Sequence, residues 1–343
     1  MPYPLIILGA GASYDFTHPN LLGLEKHEQG PIFPLTDHLI KDVDSEIEAK
    51  YEGFNTLRSL FYSSVVGQRK SFEQCLENLS DHDQRSGLLL YLGDFFWKKS
   101  NDDRVKSLPN NFKALVEIIK KSPVGGANFV TFNYDLLLEK AVDSSLNQFF
   151  NLQDYISRPI RVIKIHGSCD WYRLINQSAK DIYTALKQRS NIFNSNDQIL
   201  TKRWLSQKDS GAQQFFHVPV IAIPITSTKS YTCPQEHINV LTEALPATKK
   251  VLVIGWKAGD PFLLEKLKTI NEPVDLIVVS GNKHYAEDVA NIVKKHLKVK
   301  NLILFEGGFS DFIGSDECSI FFSDKTFTEI RKARHLKKES AHL

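Results

Sequence analysis

The sequence has few cysteines, and none of them are arranged in pairs. The absence of any C-x-x-C spacing excludes a zinc ribbon of the usual pattern and indicates no disulfide framework. The four cysteines are Cys75, Cys169, Cys233 and Cys318. We therefore expect free thiols in a reducing compartment and no metal.

Long apolar runs and a strong net charge are also absent. No stretch approaches the ~18 apolar residues of a membrane span. No basic segment precedes the short apolar run at 5–8, as a signal peptide would require. We therefore expect a cytoplasmic protein.

The net charge of +2 gives no general reason to expect nucleic-acid binding. The exception is a basic tail at 331–343, which is usually a solvated helix face and less often a contact for nucleic acid or a partner.

Short apolar segments alternate with amphipathic helical segments along most of the chain. This alternation predicts an α/β fold with a doubly wound, parallel, Rossmann-like sheet. Pro219 and Pro224 indicate that the strand containing them lies at a sheet edge or ends there. The predicted strands are 5–8, 129–131, 162–165, 218–225, 251–254, 276–279 and 302–305.

Three stretches interrupt this alternation. They are a long loop at 14–33, a helical module at 37–105 and a polar, irregular surface insertion at 176–214. Within the module, 88–97 is apolar on most sides and is expected to be buried, whereas the polar run 98–107 is expected to be a linker. The predicted organisation is one Rossmann-like domain of 1–36 and 106–330, an inserted module of 37–105, and a tail of 331–343.

A glycine-rich segment, Gly9-Ala10-Gly11-Ala12-Ser13, follows the first predicted strand directly. Glycines let a backbone approach a pyrophosphate, the following amides can donate to it, and Ser13 adds a hydroxyl donor. The segment is not the full G-x-G-x-x-G pattern. It is therefore either a phosphate-binding loop or a tight strand-to-helix turn without a ligand.

Polar residues follow the second predicted strand, and strand ends are where parallel sheets bind ligands. Thr131 is followed by Asn133 and Asp135, whose side chains face the same way if the chain is extended. Asp135 could be an ordinary cap of the helix beginning at Leu136. That interpretation leaves Asn133 unexplained, and Asn133 could bind a ribose hydroxyl or hold a water.

Small and polar residues recur at the later strand ends. His166 ends one strand as either a structural hydrogen-bonding group or a general base, and Gly167 removes side-chain bulk beside it. Gly255, Ser280 and Asn282 suit the second half of a dinucleotide. Each of these could be an ordinary turn, but they occur at successive strand ends.

Together these segments resemble the sirtuin fold, and more specifically the bacterial sirtuin-like NAD hydrolase domains of anti-phage defence proteins. The resemblance spans nearly the whole chain apart from 40–105 and 176–214. The matching segments are Gly9 to Ser13, Pro34-Leu35-Thr36, Thr131-Phe132-Asn133-Tyr134-Asp135, Lys164-Ile165-His166-Gly167-Ser168, Ile254-Gly255-Trp256 and Gly308-Phe309-Ser310-Asp311.

The resemblance implies a role for each candidate residue. His166 resembles the catalytic base, Asn133 the residue that positions the nicotinamide ribose and the attacking water, and Asp135 the residue that contacts the nicotinamide carboxamide. The remaining expected NAD contacts are Gly9, Ala10, Gly11 and Ser13 at the phosphates, Ser280 or Asn282 at the adenosine ribose, and Thr131 and Gly255 at neighbouring strand ends.

Two departures from protein-deacylating sirtuins indicate the reaction. The chain lacks both their paired cysteines and the Gly-Ile-Pro-Asp-Phe-Arg segment that follows their glycine loop. Both departures favour water as the acceptor, so we expect an NAD glycohydrolase that releases nicotinamide and ADP-ribose. The resemblance further implies a homo-oligomer that stays silent until assembly or a sensor partner activates it. The alternatives are a subunit that binds NAD or ADP-ribose without turnover, and a protein deacylase.

Overall fold

The computed structural model describes residues 2–17, 33–35, 45–51, 82–143, 151–176, 180–188, 199–201, 215–223 and 232–323. Most of the loop predicted at 14–33, a large part of the module predicted at 37–105 and the whole basic tail lie outside these residues. No helix in the described ranges is both long and apolar enough to cross a membrane.

Nine strands form two sheets in the described part of the chain. The larger sheet has six parallel strands in the order β3-β2-β1-β7-β8-β9, and the smaller has three antiparallel strands in the order β5-β4-β6. The strands are β1 Leu5–Leu8, β2 Ala127–Thr131, β3 Ile160–Lys164, β4 Gly167–Asn176, β5 Leu200–Thr201, β6 Phe215–Ile221, β7 Lys250–Ile254, β8 Val274–Val279 and β9 Val299–Phe305.

The large sheet confirms the predicted doubly wound parallel fold. Its strand order reverses between β1 and β7, which is the switch point where such sheets bind ligands. Every residue of β1 and β2 is buried, as expected for strands covered on both faces. Leu8 pairs with both Thr131 and Ile254, and Thr131 pairs with Lys164. The carboxyl ends of four strands are therefore level and present their following residues at one edge.

The small sheet corrects two predictions. The strand predicted at 218–225 begins at Phe215 and pairs antiparallel with β4 instead of joining the parallel sheet. The segment predicted as irregular contains a helix at Ile182–Gln188 and the strand β5. The chain passes from β3 through a turn at Ile165 and His166 directly into β4, without a crossover helix. Parallel neighbours need such a crossover, so β4 starts a second sheet.

The helices of the described residues follow the predicted alternation, with additions in the inserted module. Two short 3₁₀ helices span Leu152–Tyr155 and Leu245–Ala247. The α-helices are α1 Ala10–Tyr14, α2 Ser45–Glu48, α3 His82–Ser100, α4 Asp103–Ser107, α5 Asn111–Lys121, α6 Leu137–Val142, α7 Ile182–Gln188, α8 Gln235–Ala244, α9 Pro261–Leu267, α10 Lys283–Val293, α11 Gly308–Ile313 and α12 Asp316–Phe321.

The described end of the inserted module covers the small sheet. Helix α3 packs against β4 and β6. The predicted burial of its apolar stretch is confirmed for Leu88, Leu89, Leu90, Tyr91, Leu92, Phe95 and Phe96. The predicted linker at 98–107 is wrong, because α3 continues to Ser100 and α4 follows. Asp102 caps α4 by accepting the Arg104 N–H at 2.9 Å, so the charged run is helical surface.

Candidate functional site

The glycine turn after β1 packs directly on the turn after β7. The Gly11 N–H donates to the Gly255 carbonyl at 3.0 Å, and a Cβ on Gly9 would lie 2.5 Å from the same oxygen. Gly255 itself has a φ of +59°, which favours glycine. These glycines therefore allow two backbones to touch at the switch point, which accounts for them as a tight turn.

Most of the amides in this turn already have acceptors. The Gly9 N–H donates to Ile254, the Gly11 N–H to Gly255 and the Ala12 N–H to the Gly9 carbonyl. The Ala10 N–H has no acceptor among the described residues. A phosphate at this turn would therefore meet one free amide, and the binding role of the segment stays a prediction.

Asn133 is held by both protons of its amide. Its Nδ2 donates to the Gly9 carbonyl at 2.9 Å and to Ser13 Oγ at 2.8 Å, while its N–H donates to Thr131 Oγ1 at 3.1 Å. Its Oδ1 has no partner in the described part of the chain. The network therefore leaves Asn133 with one fixed, free hydrogen-bond acceptor at the carboxyl edge of β2.

Asp135 ends this chain of hydrogen bonds. Ser13 Oγ donates to its Oδ2 at 2.6 Å, and the Leu137 N–H donates to its Oδ1 at 3.0 Å. The helix begins one residue later than expected and its N-cap is Leu136, so Asp135 bonds the first helical N–H from the position before the cap. Asp135 is 3% exposed, with both oxygens engaged. Contact between Asp135 and a nicotinamide stays a prediction, and the structure shows Asp135 orienting Ser13.

His166 lies in the turn between β3 and β4, and its Nε2 is 3.0 Å from Asp260 Oδ2. The edge of its ring contacts Phe132, whose ring stacks on Trp256 with centroids 5.3 Å apart. The sequence predicts that Gly167 opens space beside the imidazole, but the structure gives this glycine a different main role. Its φ is +81°, and a Cβ there would lie 1.9 Å from the Val220 carbonyl, so it is required by the pairing of β4 with β6.

Asp260 was missed by sequence reasoning. An aspartate followed by Pro261 is a typical helix start, and Asp260 does cap α9 by accepting the Leu263 N–H at 2.7 Å. Its second oxygen faces a histidine on a distant strand end. No local sequence pattern around Asp260 indicates that its side chain contacts His166.

A buried ion pair lies beneath the Asn133–Asp135 turn. Lys164 Nζ is 2.7 Å from Glu139 Oε1, and both side chains are almost fully buried. The same Nζ donates to the Asp135 carbonyl. Burial raises the pKa of Glu139, and Lys164 only partly offsets this. Lys164 occurred in a matched motif without an assigned role, and Glu139 was missed because its helix looks ordinary.

The predicted adenosine side of the edge is more exposed. Asn282 is exposed and caps α10 by accepting the Tyr285 N–H at 3.0 Å. Ser280 is half-buried, and its backbone joins the Phe305 carbonyl and the Gly308 N–H at 2.9 Å each. The structure thus places both residues at the expected strand end, and contact between either side chain and a ligand stays a prediction.

Two cavities lie away from this edge. One of about 530 Å³ adjoins Lys294, Lys298 and Lys300, and one of about 500 Å³ adjoins Asp181 and Tyr183. Neither is lined by a predicted site residue. The residues that the structure describes contain no cluster of His, Cys, Asp and Glu able to hold a metal ion.

The chain folds into a doubly wound α/β domain with polar side chains gathered at its switch point. Residues 127–298 match the model of the SIR2-like domain family. The chain therefore belongs to the SIR2-like domain family.

Solved structures similar to this chain include Sir2 proteins. A triple mutant of a Sir2 homologue in complex with 2′-O-acetyl-ADP-ribose is 11% identical, with a TM-score of 0.47, and the match covers 96% of this chain and 92% of that chain. A Sir2 with a p53 peptide and NAD⁺ is 11% identical, with a TM-score of 0.40, and the match covers 91% of this chain and 90% of that chain. No curated protein sequence matches the chain.

Proposed function

We propose that this protein is an NAD⁺ glycohydrolase that converts NAD⁺ and water into nicotinamide and ADP-ribose. The observation that carries the proposal is the pair of acceptor groups at one sheet edge. Asn133 Oδ1 has no partner among the described residues, while both protons of its amide are engaged. One ring nitrogen of His166 likewise has no partner there, and Asp260 engages the other. Membership of the SIR2-like family supports NAD⁺ as the substrate.

The proposed binding mode places NAD⁺ across the switch point. The pyrophosphate would lie at the glycine turn, with the Ala10 N–H as its free backbone donor. The nicotinamide ribose would lie towards Asn133 and His166, and the adenosine ribose towards Ser280 and Asn282. This direction follows the positions of the strand ends from β3 to β8.

The chemistry requires no metal, because the nicotinamide of NAD⁺ is already a cationic leaving group. Cleavage of its bond to ribose passes through an oxocarbenium-like transition state, as in glycoside hydrolysis. Asn133 Oδ1 would accept a hydrogen bond from the attacking water and orient it towards the ribose. His166 would accept the proton that this water loses, directly or through a ribose hydroxyl. The products are nicotinamide, ADP-ribose and one proton.

We further propose that the enzyme is the toxic effector of an anti-phage abortive-infection system. An enzyme that empties the NAD⁺ pool must be silent until it is needed. Activation by homo-oligomer assembly or by a sensor partner would supply that control. This part of the proposal rests on the resemblance of the sequence motifs to defence-associated NAD hydrolases. Co-purification of a neighbouring protein that stimulates NAD⁺ cleavage would support it.

The test is NAD⁺ turnover by wild type, His166→Ala and Asn133→Ala, each alone and with any co-purifying partner. We expect each substitution to lower kcat by about 10²–10⁴-fold, as for loss of a general base or an orienting group. His284→Ala is the matched control, because His284 is exposed and pairs with Asp288 on the surface of α10. Equal turnover by wild type and both site variants would contradict the assignment. Tight NAD⁺ binding without nicotinamide release would favour the binding-subunit alternative.

A further inference from the structure

We propose that Asp260 is a positioning residue that fixes the tautomer of His166 and makes Nδ1 the basic nitrogen of the site. The inference deepens the proposed hydrolase function and rests on it for its catalytic consequence. Its structural content is the hydrogen bond between His166 Nε2 and Asp260 Oδ2 at 3.0 Å.

The two oxygens of Asp260 have separate partners. Oδ1 accepts the Leu263 N–H at 2.7 Å, which caps helix α9, and Oδ2 faces His166. An ionised carboxylate can only accept hydrogen bonds, so Nε2 must be the nitrogen that carries the proton. A neutral imidazole has one donor and one acceptor nitrogen. Nδ1 therefore holds the lone pair, and it has no partner among the described residues.

The surroundings of the pair fix its geometry. Asp260 is held by its cap and by Pro261 at the start of α9, whose ring restrains the backbone. The His166 ring lies with its centroid 4.9 Å from that of Phe132, edge to face, and Phe132 is stacked on Trp256. The aromatic contacts limit rotation of the imidazole, so the hydrogen bond selects one orientation and one tautomer.

The pair is also shielded and spans the switch point. The side chains of His166 and Asp260 are 23% and 11% exposed, so their interaction is less screened than that of a surface pair. Strands β2 and β1 lie between β3, which precedes His166, and β7, which precedes α9. One half of the sheet therefore supplies the base, and the other half supplies the group that orients it.

This arrangement has a direct chemical consequence. When Nδ1 accepts a proton, the ring becomes an imidazolium, and the Asp260 carboxylate stabilises that charge through Nε2–H. Loss of the carboxylate would remove this stabilisation, and the ring proton would no longer be held on Nε2. The effect on turnover should therefore appear in kcat, while NAD⁺ binding changes little.

Asp260→Asn tests the inference with the helix cap kept, because asparagine caps helices as well as aspartate does. The amide oxygen can still accept the Leu263 N–H, but the amide nitrogen would then face Nε2 and force the ring proton onto Nδ1. We expect kcat to fall by about 10²–10⁴-fold with KM nearly unchanged, as for a wrong-tautomer histidine. Asp181→Asn is the matched control, since Asp181 likewise accepts the N–H of the third residue after it, that of Thr184, at 2.8 Å.

A second readout does not depend on turnover. Nitrogen chemical shifts of ¹⁵N-labelled histidine, assigned by difference with His166→Ala, report which ring nitrogen carries the proton. We expect Nε2–H in the wild type and Nδ1–H in Asp260→Asn. A wild-type proton on Nδ1, a tautomer unchanged by Asp260→Asn, or kcat of Asp260→Asn at or above wild type would overturn the inference. If the wild type cleaves no NAD⁺ under any condition, the proposed function fails, and the tautomer result still decides the role of Asp260.

Discussion

The two ends of the candidate site are built differently. At the β2–β3 end, polar and charged groups are buried and bonded to one another, including Ser13, Asp135 and the Lys164–Glu139 pair. At the β8–β9 end, Asn282 is an exposed helix cap and Ser280 bonds mainly through its backbone. The first end is thus held in place before any ligand arrives, and the second end presents groups on a surface.

Function and stability are coupled more tightly at the β2–β3 end than at the β8–β9 end. A buried polar group is costly unless each partner is present, so a network such as Ser13–Asp135 constrains its members to one geometry. Substitutions at the β2–β3 end should therefore lower stability and kcat together. Substitutions at the β8–β9 end should change NAD⁺ affinity with small effects on folding.

The largest effect is expected from Glu139→Ala. This change leaves the Lys164 ammonium buried without its counter-ion, which should lower the free energy of unfolding by about 3–5 kcal/mol. Denaturant titration measures the change. The control is the double variant Glu139→Leu with Lys164→Met, which removes both charges and should recover most of the loss. Loss under about 1 kcal/mol for Glu139→Ala would contradict a buried ionic network.

An intermediate effect is expected from Ser13→Ala. The substitution removes the hydroxyl that joins Asn133 to Asp135 and leaves a buried carboxylate oxygen without its donor. The expected loss of stability is about 1–3 kcal/mol, and kcat for NAD⁺ should fall because Asn133 is no longer fixed. Ser107→Ala, at an exposed position of α4, should change neither quantity. A wild-type kcat in Ser13→Ala would contradict the claim that the hydrogen bonds of Ser13 hold Asn133 in place for turnover.

The smallest effect is expected from Asn282→Ala. Loss of the cap on α10 should lower stability by about 1 kcal/mol. If Asn282 contacts the adenosine ribose, KM for NAD⁺ should rise while kcat stays constant. Steady-state kinetics beside Asn110→Ala, a cap on α5, separates the loss of a cap from the loss of a ligand contact. A drop in kcat without a change in KM would contradict the proposal that the β8–β9 end contributes to NAD⁺ affinity and not to turnover.

The sequence predicted the buried parallel strands well, because their apolar runs leave little ambiguity. The first strand is Leu5–Leu8 as expected, and the strand expected at 251–254 is Lys250–Ile254. The antiparallel sheet was missed because alternation of strands and helices dominates the pattern. A direct turn between β3 and β4 leaves no signal of its own in a run of helix-separated strands.

The candidate site was predicted as a set of strand ends, and the structure brings those ends to one edge. The bonds among them could not be read from the sequence. Asn133 and Ser13 are far apart along the chain, as are His166 and Asp260, and such contacts depend on the register of the whole sheet. The local role suggested for Asp135 is present in altered form, since it bonds the Leu137 N–H from the residue before the N-cap, and the distant bond to Ser13 accompanies it.

The proposed hydrolase function is tested most directly by identifying the molecule that accepts the ADP-ribose group. Nicotinamide and ADP-ribose are quantified by mass spectrometry after NAD⁺ is incubated with the purified chain and its co-purifying partner, with and without an acetyl-lysine peptide. We predict equal amounts of nicotinamide and ADP-ribose, unchanged by the peptide and lost in His166→Ala. Nicotinamide released only with the peptide, as acetylated ADP-ribose accumulates, would contradict a hydrolase, as would the absence of nicotinamide in every condition.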